Sequence, residues 1–287
     1  MTSLEPNECT IPQLQAILSS AVAPRPIAWV STINSEGRPN LSPFSFFNLF
    51  STNPPILIFS PARRVRDNST KHTLHNVEEV AEVVINVVPF CLIQQMSLSS
   101  TEYAKGVNEF EKSGVTMLKS DLVRPFRVAE SPIQMECKVN EIKPLGAENG
   151  AGNLVICQVL KIHIFDSVVN DDNSINQEKL DLVARGGGSY YIRGKEGFLE
   201  IPKPLRTLGI GVDAMPEAIR RSTILSGNDL GVLGNVEALP TSDAVALFWK
   251  QNQSLKNELT TPTSMHQKAK EFLRDGSVFE AWCVLLS

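Results

Sequence analysis

The sequence lacks the long apolar run of a membrane-spanning helix, since no stretch approaches the roughly 18–20 apolar residues required. Its first residues also lack the cationic segment and apolar core of a secretory signal. Positive charge is not in excess, because 27 Lys and Arg stand against 31 Asp and Glu, a formal net charge of −4. Dedicated nucleic-acid binders are usually basic. We therefore expect a cytoplasmic protein that binds neither membranes nor nucleic acid.

Cysteine is scarce, and its spacing fits neither a disulfide framework nor a metal site. The five cysteines are an odd number without a Cys-x-x-Cys pair, so reduced thiols are expected. His72 and His75 have the spacing of two ligands on one helix face, but no further ligands stand near them in the sequence. No P-loop and no Gly-x-Ser-x-Gly motif occurs either. The sequence predicts no metal site and leaves the catalytic residues unassigned.

Strand-like segments dominate the sequence before residue 200. With 287 residues, of which 42% are hydrophobic, the chain has the composition of an ordinary globular protein. Runs rich in β-branched and aromatic residues predict strands at 26–33, 39–49, 56–60, 83–88, 133–142, 153–165 and 189–193. These runs do not alternate regularly with helices. The pattern therefore favours antiparallel β structure, closed as a barrel or stacked as a sandwich.

The composition changes after the Pro-Lys-Pro segment at 202–204. Beyond it, helical patterns appear at 217–222, 242–251 and 264–286. We predict a mainly β domain over residues 1–204 and a mostly helical extension over residues 205–287.

A cluster of cations lies in residues 61–75, directly after a predicted strand. Arg63, Arg64, Arg66 and Lys71 stand there with one acid, Asp67, in a chain that is acidic overall. If a hydroxyl residue at position 69 or 70 caps a helix, free amides, cations and hydroxyls together make a phosphate site. A solvated charged face is the other interpretation of the same pattern.

Residues 40–48, with the sequence NLSPFSFFN, form the second unusual segment. A strand interrupted by Pro43, with polar side chains between aromatic rings, suits a flat aromatic ligand whose edges need hydrogen bonds. An edge strand with aromatic core packing explains the pattern equally well.

Read together, these segments resemble the flavin reductase-like family, the FMN-binding split-barrel proteins that include flavoredoxin. The matching residues include Pro24-Arg25-Pro26-Ile27-Ala28, Val30-Ser31-Thr32, Gly37, Asn40, Ser42-Pro43-Phe44-Ser45-Phe46-Phe47-Asn48, Ser51, Pro54-Pro55, Lys71-His72-Thr73, Asn76 and Glu82-Val83-Val84-Ile85-Asn86. The resemblance covers roughly residues 15–200. The family usually has an acid where His72 stands, so the resemblance assigns this residue no role.

The resemblance implies a six-stranded antiparallel split β-barrel of Greek-key type with inserted short helices, forming a homodimer with FMN near the subunit interface. The helical extension would pack on the barrel or on the dimer partner. The residues implied in cofactor binding are Asn40, Ser42, Pro43, Phe44, Ser45 and Phe46 along the ring and ribityl chain, and Ser60, Lys71, Thr73 and Arg63 at the phosphate. Gly187 and Tyr190, or Tyr191, would lie on the substrate side. FAD or riboflavin could replace FMN.

The resemblance further implies an NAD(P)H-dependent flavin reductase, in which NADH or NADPH passes hydride to N5 of the flavin. Arg25 is either a cation near N1 and C2=O of the flavin or an ordinary surface arginine. One alternative is a flavoredoxin-like electron carrier that a redox protein partner reduces. Another is a non-catalytic FMN-binding module. The sequence does not indicate whether NADH or NADPH is the reductant, nor which molecule is the final electron acceptor.

Overall fold

The computed structural model describes residues 2–201 and 208–287. The chain divides into two compact units, Met1–Leu199 and Glu200–Ser287. The boundary predicted between residues 204 and 205 lies outside the described residues. In the ranges that are described, no helix has the length and apolar character that crossing a membrane requires.

The first unit contains twelve strands and five α-helices among its described residues. The strands are β1 Arg25–Pro26, β2 Ala28–Ile33, β3 Pro39–Phe44, β4 Phe47–Thr52, β5 Pro55–Phe59, β6 Glu82–Asn86, β7 Met117–Leu118, β8 Arg127–Val128, β9 Ile133–Pro144, β10 Asn153–Ile164, β11 Val183–Arg185 and β12 Tyr191–Arg193. The helices are α1 Ile11–Ala21, α2 His72–Glu79, α3 Ile93–Leu98, α4 Glu109–Ser113 and α5 Gln177–Leu180.

A seven-stranded sheet in the order β3-β2-β6-β9-β10-β5-β4 forms the body of this unit. Every neighbouring pair in it is antiparallel. The outermost strands β3 and β4 are joined by only Ser45 and Phe46, and so short a link spans about 10 Å at most. The sheet must therefore curl until its two edges approach, although no ladder of hydrogen bonds closes it.

The expected count of six strands is wrong for this sheet, which has seven. The predicted strand at 39–49 is two strands, because the chain bends at Ser45 and Phe46. Strand β4 then pairs with β5, and the amide of Ser60 donates to the carbonyl of Phe46 at 2.8 Å. The antiparallel β class predicted from the sequence is confirmed.

The curled sheet is buried on both faces near β2, in which all six residues are buried. Val30, Ile85 and Phe59 belong to one apolar cluster, while Trp29 and Leu41 belong to another. Burial on both faces agrees with the apolar run Ala28-Trp29-Val30, and the polar Ser31 and Thr32 that follow it are buried as well.

Two smaller sheets complete the unit. Strands β1, β11 and β12 form a three-stranded antiparallel sheet in the order β1-β11-β12, and β7 pairs with β8. The buried carboxylate of Glu136 holds the chain next to β7 and β8, since it accepts the backbone N–H groups of Asp121 and Leu122. The side chain of His163 lies 2.6 Å from the same carboxylate.

The described part of the second unit is helical. Its helices are α6 Glu217–Arg220, α7 Gly227–Gly234, α8 Ser242–Gln251, α9 Gln253–Glu258, α10 Pro262–Arg274 and α11 Val278–Leu285. The single helix predicted at 264–286 is two helices, because Gly276 adopts a φ of 76° between them. Trp282 is buried in the core of this unit, where its indole N–H donates to the carbonyl of Leu233 at 3.1 Å.

Candidate functional site

A cavity of about 450 Å³ lies where the edges of the curled sheet approach. Seven of the predicted cofactor-binding residues line it, namely Pro43, Phe44, Ser45, Phe46, Ser60, Arg63 and Lys71. The other three, Asn40, Ser42 and Thr73, line a small adjoining cavity together with Lys71. Strand β3 with the bend after it, the chain that follows β5, and the start of α2 thus bring all ten residues to two cavities that share the lysine.

Lys71 places a positive charge in this site, where the carboxylate of Glu102 is already paired with Arg64 and Arg66. Its ammonium has no hydrogen bond and no ion pair with the residues that the structure describes, and it lies 5.2 Å from the ring centre of Phe44. Burial, reinforced by the charge of Arg64, lowers the pKa of Lys71. A desolvated cation is unfavourable unless an anion compensates it. The site is therefore suited to bind an anion.

Lys71 is also the N-cap residue of α2, so the first free amides of this helix follow it directly. Neither Ser69 nor Thr70, the two caps considered from the sequence, is the N-cap of this helix. Ser69 donates its hydroxyl hydrogen to Asp67 at 2.5 Å, and the Thr70 hydroxyl lies 2.7 Å from Nε2 of His75. With both hydroxyls engaged elsewhere, no side chain of the described residues forms a cap hydrogen bond at the start of α2.

A buried hydrogen bond connects this helix to strand β3. Asn40 donates from Nδ2 to the Thr73 hydroxyl at 3.0 Å, and both side chains are buried. The hydroxyl accepts this bond and keeps its own hydrogen for another acceptor. The positions of Thr73 and Lys71 are thereby fixed relative to the strand.

The arginines of the cation cluster shape the loop before α2. Arg63 donates from Nε and Nη2 to the side chain and backbone of Asn68 at 2.7 and 2.8 Å. Arg64 donates to the Ser69 hydroxyl and the Thr70 carbonyl. It also forms an ion pair of 3.0 Å with Glu102. These arginines add positive charge to the site, and two N–H bonds from each of them hold the loop.

Two carboxylates in the small cavity were not identified from the sequence. Glu102 bridges Arg64 and Arg66. Glu109, at the start of α4, is buried and accepts the backbone N–H of Leu41 at 3.1 Å. Burial raises the pKa of Glu109. Glu109 follows Leu41 by 68 positions, and no local pattern in the sequence marks such a distant contact.

A third cavity, of about 220 Å³, shares Pro43 and Ser45 with the largest one. Arg185 and Tyr191 line it. Tyr190 does not, since it is 79% exposed. Of the two tyrosines considered from the sequence, the structure therefore brings Tyr191 to a cavity.

Gly187 and Arg25 lie where the last turn of α1 meets the chain after β11. A Cβ atom at Gly187 would come within 2.2 Å of the Ser20 hydroxyl, so only glycine fits there. Arg25 is not an ordinary surface arginine, because it is buried and donates to the carbonyls of Ser19, Val22 and Gly186. It has no place in the lining of the three cavities.

One group of side chains of the kinds that bind metals comes close together among the described residues, namely Asp121, Glu136 and His163. The ammonium of Lys161 lies against Asp121, and three backbone N–H groups already bind Glu136. These partners satisfy the carboxylates, so the group anchors the neighbouring chain.

Comparison with known proteins agrees with this geometry. Residues 20–180 match the family model of the flavin reductase like domain. A protein of Aquifex aeolicus is 35% identical over 180 residues, which are 63% of this chain and 89% of that protein.

Two solved structures extend the comparison to the fold. Component B of nitrilotriacetate monooxygenase from Bacillus cereus is 28% identical with a TM-score of 0.65, over 70% of this chain and 98% of that one. A candidate flavin reductase with a split barrel domain from Shewanella frigidimarina is 24% identical with a TM-score of 0.59, over 69% and 95%. The curled sheet has the fold of such split barrels. On the match over residues 20–180, this chain belongs to the flavin reductase-like family.

Proposed function

We propose that the protein binds FMN and acts as an NAD(P)H-dependent flavin reductase. The observation that carries the proposal is the ammonium of Lys71, which lines the cavity at the start of α2 and forms no ion pair with the described residues, while Glu102 in the same cavity pairs with Arg64 and Arg66. A terminal phosphate is the anion that such a combination of cation and free amides binds best. Riboflavin lacks this phosphate, so the site favours FMN over riboflavin.

The other lining residues fit the rest of the cofactor. Pro43, Phe44 and Phe46 offer apolar surface to a flat ring, and the ring of Phe44 is itself buried. The hydroxyls of Ser42 and Ser45 have no hydrogen-bond partner within the described ranges, so they are available to polar atoms of the ring edge or the ribityl chain. FMN would therefore lie along β3 with its phosphate at Lys71, Ser60 and Thr73.

When bound, the flavin would supply the acceptor for hydride from a reduced nicotinamide. The protein contributes position and charge. Pro43 and Phe44 provide a rigid wall, and Lys71 compensates the phosphate charge. Hydride transfer of this kind needs no acid–base side chain, which agrees with a site where the one buried carboxyl group, that of Glu109, binds the backbone of β3.

The proposal includes a homodimer with the cofactor near the interface. Strand β4 is one outer edge of the seven-stranded sheet, and its Leu49 and Phe50 are 54% and 64% exposed. An uncovered edge strand with apolar side chains tends to associate with another chain. A second copy at this edge would cover apolar surface that lies next to the cavity.

The visible absorption spectrum under anaerobic conditions tests this function. The protein is loaded with FMN and then receives NADH or NADPH. We expect the flavin band near about 450 nm to bleach with one or both nicotinamides. Arg124→Gln, which removes an exposed cation outside the three cavities, serves as control and should behave like the wild type.

Two other results would contradict the reductase. A band that persists with both nicotinamides but bleaches with dithionite would identify an electron carrier or an FMN-binding module. Failure to bind FMN would show that the site is not a flavin site.

A further inference from the structure

Two arginines oppose each other in the three-stranded sheet. Arg25 of β1 pairs directly with Arg185 of β11, which in turn pairs with Tyr191 of β12. Directly opposed like charges destabilise a sheet. Within the part of the chain that the structure describes, neither arginine forms an ion pair with a carboxylate. This cross-strand pair therefore has an uncompensated positive charge.

The two arginines differ in what they can still bind. Both terminal nitrogens of Arg25 donate to backbone carbonyls, so this guanidinium is committed to the end of α1. Its Nε atom is buried without a partner. Arg185 donates to the carbonyl of Gly188 from one terminal nitrogen and lies 4.5 Å above the ring centre of Tyr191. Its remaining N–H groups have no partner among the described residues.

The cavity of about 220 Å³ that Arg185 lines has both polar and apolar walls, since Ser100 and Tyr191 also line it. Ile27, Met96 and Pro43 supply the apolar surface, and Ser45 adds a free hydroxyl. Cavities that bury drug-sized ligands measure roughly 300–1,000 Å³, so this one suits a single ring. A ring between the apolar residues would point a charged substituent at Arg185.

We propose that this cavity binds a small aromatic carboxylate and that Arg185 determines its selectivity for an anion. The guanidinium offers the paired N–H groups that recognise a carboxylate with two parallel hydrogen bonds. Because Pro43 and Ser45 also line the largest cavity, the ligand would lie beside the flavin. Only this last point rests on the proposed function.

Benzoate is the probe, and neutral benzamide is its matched comparison. Each is titrated into the FMN-loaded protein while the flavin spectrum is followed. Each is also titrated into the flavin-free protein with ligand-observed NMR. The variants are Arg185→Gln, Arg185→Lys and the control Arg124→Gln. FMN affinity and melting temperature report whether each variant folds.

We expect the wild-type protein to bind benzoate at least about tenfold more tightly than benzamide, as for a hydrogen bond to a charged group. Arg185→Gln should lose this preference. Arg185→Lys should keep part of it, because a point charge lacks the paired geometry. Arg124→Gln should match the wild type.

Equal affinities for benzoate and benzamide, binding of neither, or undiminished benzoate binding in Arg185→Gln would overturn the proposal. The comparison of the two probes on the wild type decides the matter even if Arg185→Gln does not fold. If the protein takes up no flavin, the proposed function fails, while the NMR titration of the flavin-free protein still tests the anion site.

Discussion

At the scale of single residues, Lys71 combines a cost in stability with a gain in binding. In Lys71→Met the apolar stem is retained and the charge is lost. FMN should bind about tenfold to a hundredfold more weakly, the loss of a charge-assisted hydrogen bond. Riboflavin, which has no phosphate, should bind with nearly unchanged affinity. Fluorescence quenching titrations with both flavins measure the difference.

The same substitution should raise the melting temperature of the flavin-free protein, because it removes a charged group from a buried position. The unfavourable burial of this charge is also what lowers the pKa of Lys71. Lys138→Met is the matched control. Lys138 is exposed on β9 outside the cavities, so its loss should change neither flavin affinity. Equal losses of FMN and riboflavin in Lys71→Met would place the phosphate elsewhere.

Glu109 makes stability depend on pH. Burial raises the pKa of its carboxyl group in the folded protein above the ordinary value of 4.5. The folded state then binds the proton more tightly than the unfolded state, so this contribution is present below pH 4.5 and is lost as pH rises through the raised pKa. Glu109→Gln keeps an acceptor for the Leu41 amide. Because glutamine does not titrate, this variant should not lose stability as pH rises.

Urea unfolding of the flavin-free protein across that pH range measures the effect. Glu109→Gln should gain stability relative to the wild type as pH rises toward neutral. Glu111→Gln, an exposed change one half-turn further along α4, should follow the wild-type profile. Identical profiles for all three proteins would mean that Glu109 titrates as it does in the unfolded chain.

At the scale of secondary-structure elements, the approach of β5 to β10 sets the position of Ser60. A Cβ atom on Gly152, just before β10, would lie 2.7 Å from the Ser60 hydroxyl. Gly152→Ala should displace that hydroxyl and weaken FMN binding by about tenfold, as for one hydrogen bond to a charged group. Isothermal titration calorimetry with FMN measures the change in affinity.

The control is Gly231→Ala within helix α7, where a Cβ atom meets nothing within 4 Å. Alanine is the better helix former, so this variant should gain about 0.5–1 kcal/mol of stability and leave FMN affinity unchanged. If Gly152→Ala also binds FMN normally, Ser60 does not contact the cofactor.

The sequence predicted elements best where the pattern was long and local. Helix α8 has the predicted bounds, and the long strands β9 and β10 lie close to theirs. The bend between β3 and β4 was not predicted, because it depends on β4 pairing with β5 and not on a turn motif. Ser69 does not cap α2, because Asp67 binds its hydroxyl.

The site shows the same limit. Residues near one another in sequence, such as Pro43 to Phe46, were identified through their pattern and the family resemblance. Glu109 and Arg185 reach the cavities only through long-range packing, so no local signal revealed them. Tertiary contacts, which a single sequence does not display, decide which of two neighbouring tyrosines lines a cavity.

At the scale of the whole molecule, the two units have separate cores. The first surrounds the curled sheet, with Val30 and Trp29 in its clusters. The second contains Leu233 and Trp282 between its helices. Each has its own buried side chains, as expected of domains. That the helical unit packs on the barrel or on a dimer partner stays a prediction.

The exposed edge of the first unit leads to the last prediction, that the protein is a dimer in solution. Sedimentation equilibrium should give about 63 kDa, twice the chain mass of 31.6 kDa. Phe50→Glu places a charge on the exposed face of β4 and should shift the mass toward that of one chain. Because the cavity adjoins this edge, FMN affinity should fall together with the dimer. Leu122→Glu changes a side chain of similar exposure, 58%, away from β4, and should remain a dimer. A wild-type monomer that still binds FMN tightly would show that one copy of the chain builds the site alone.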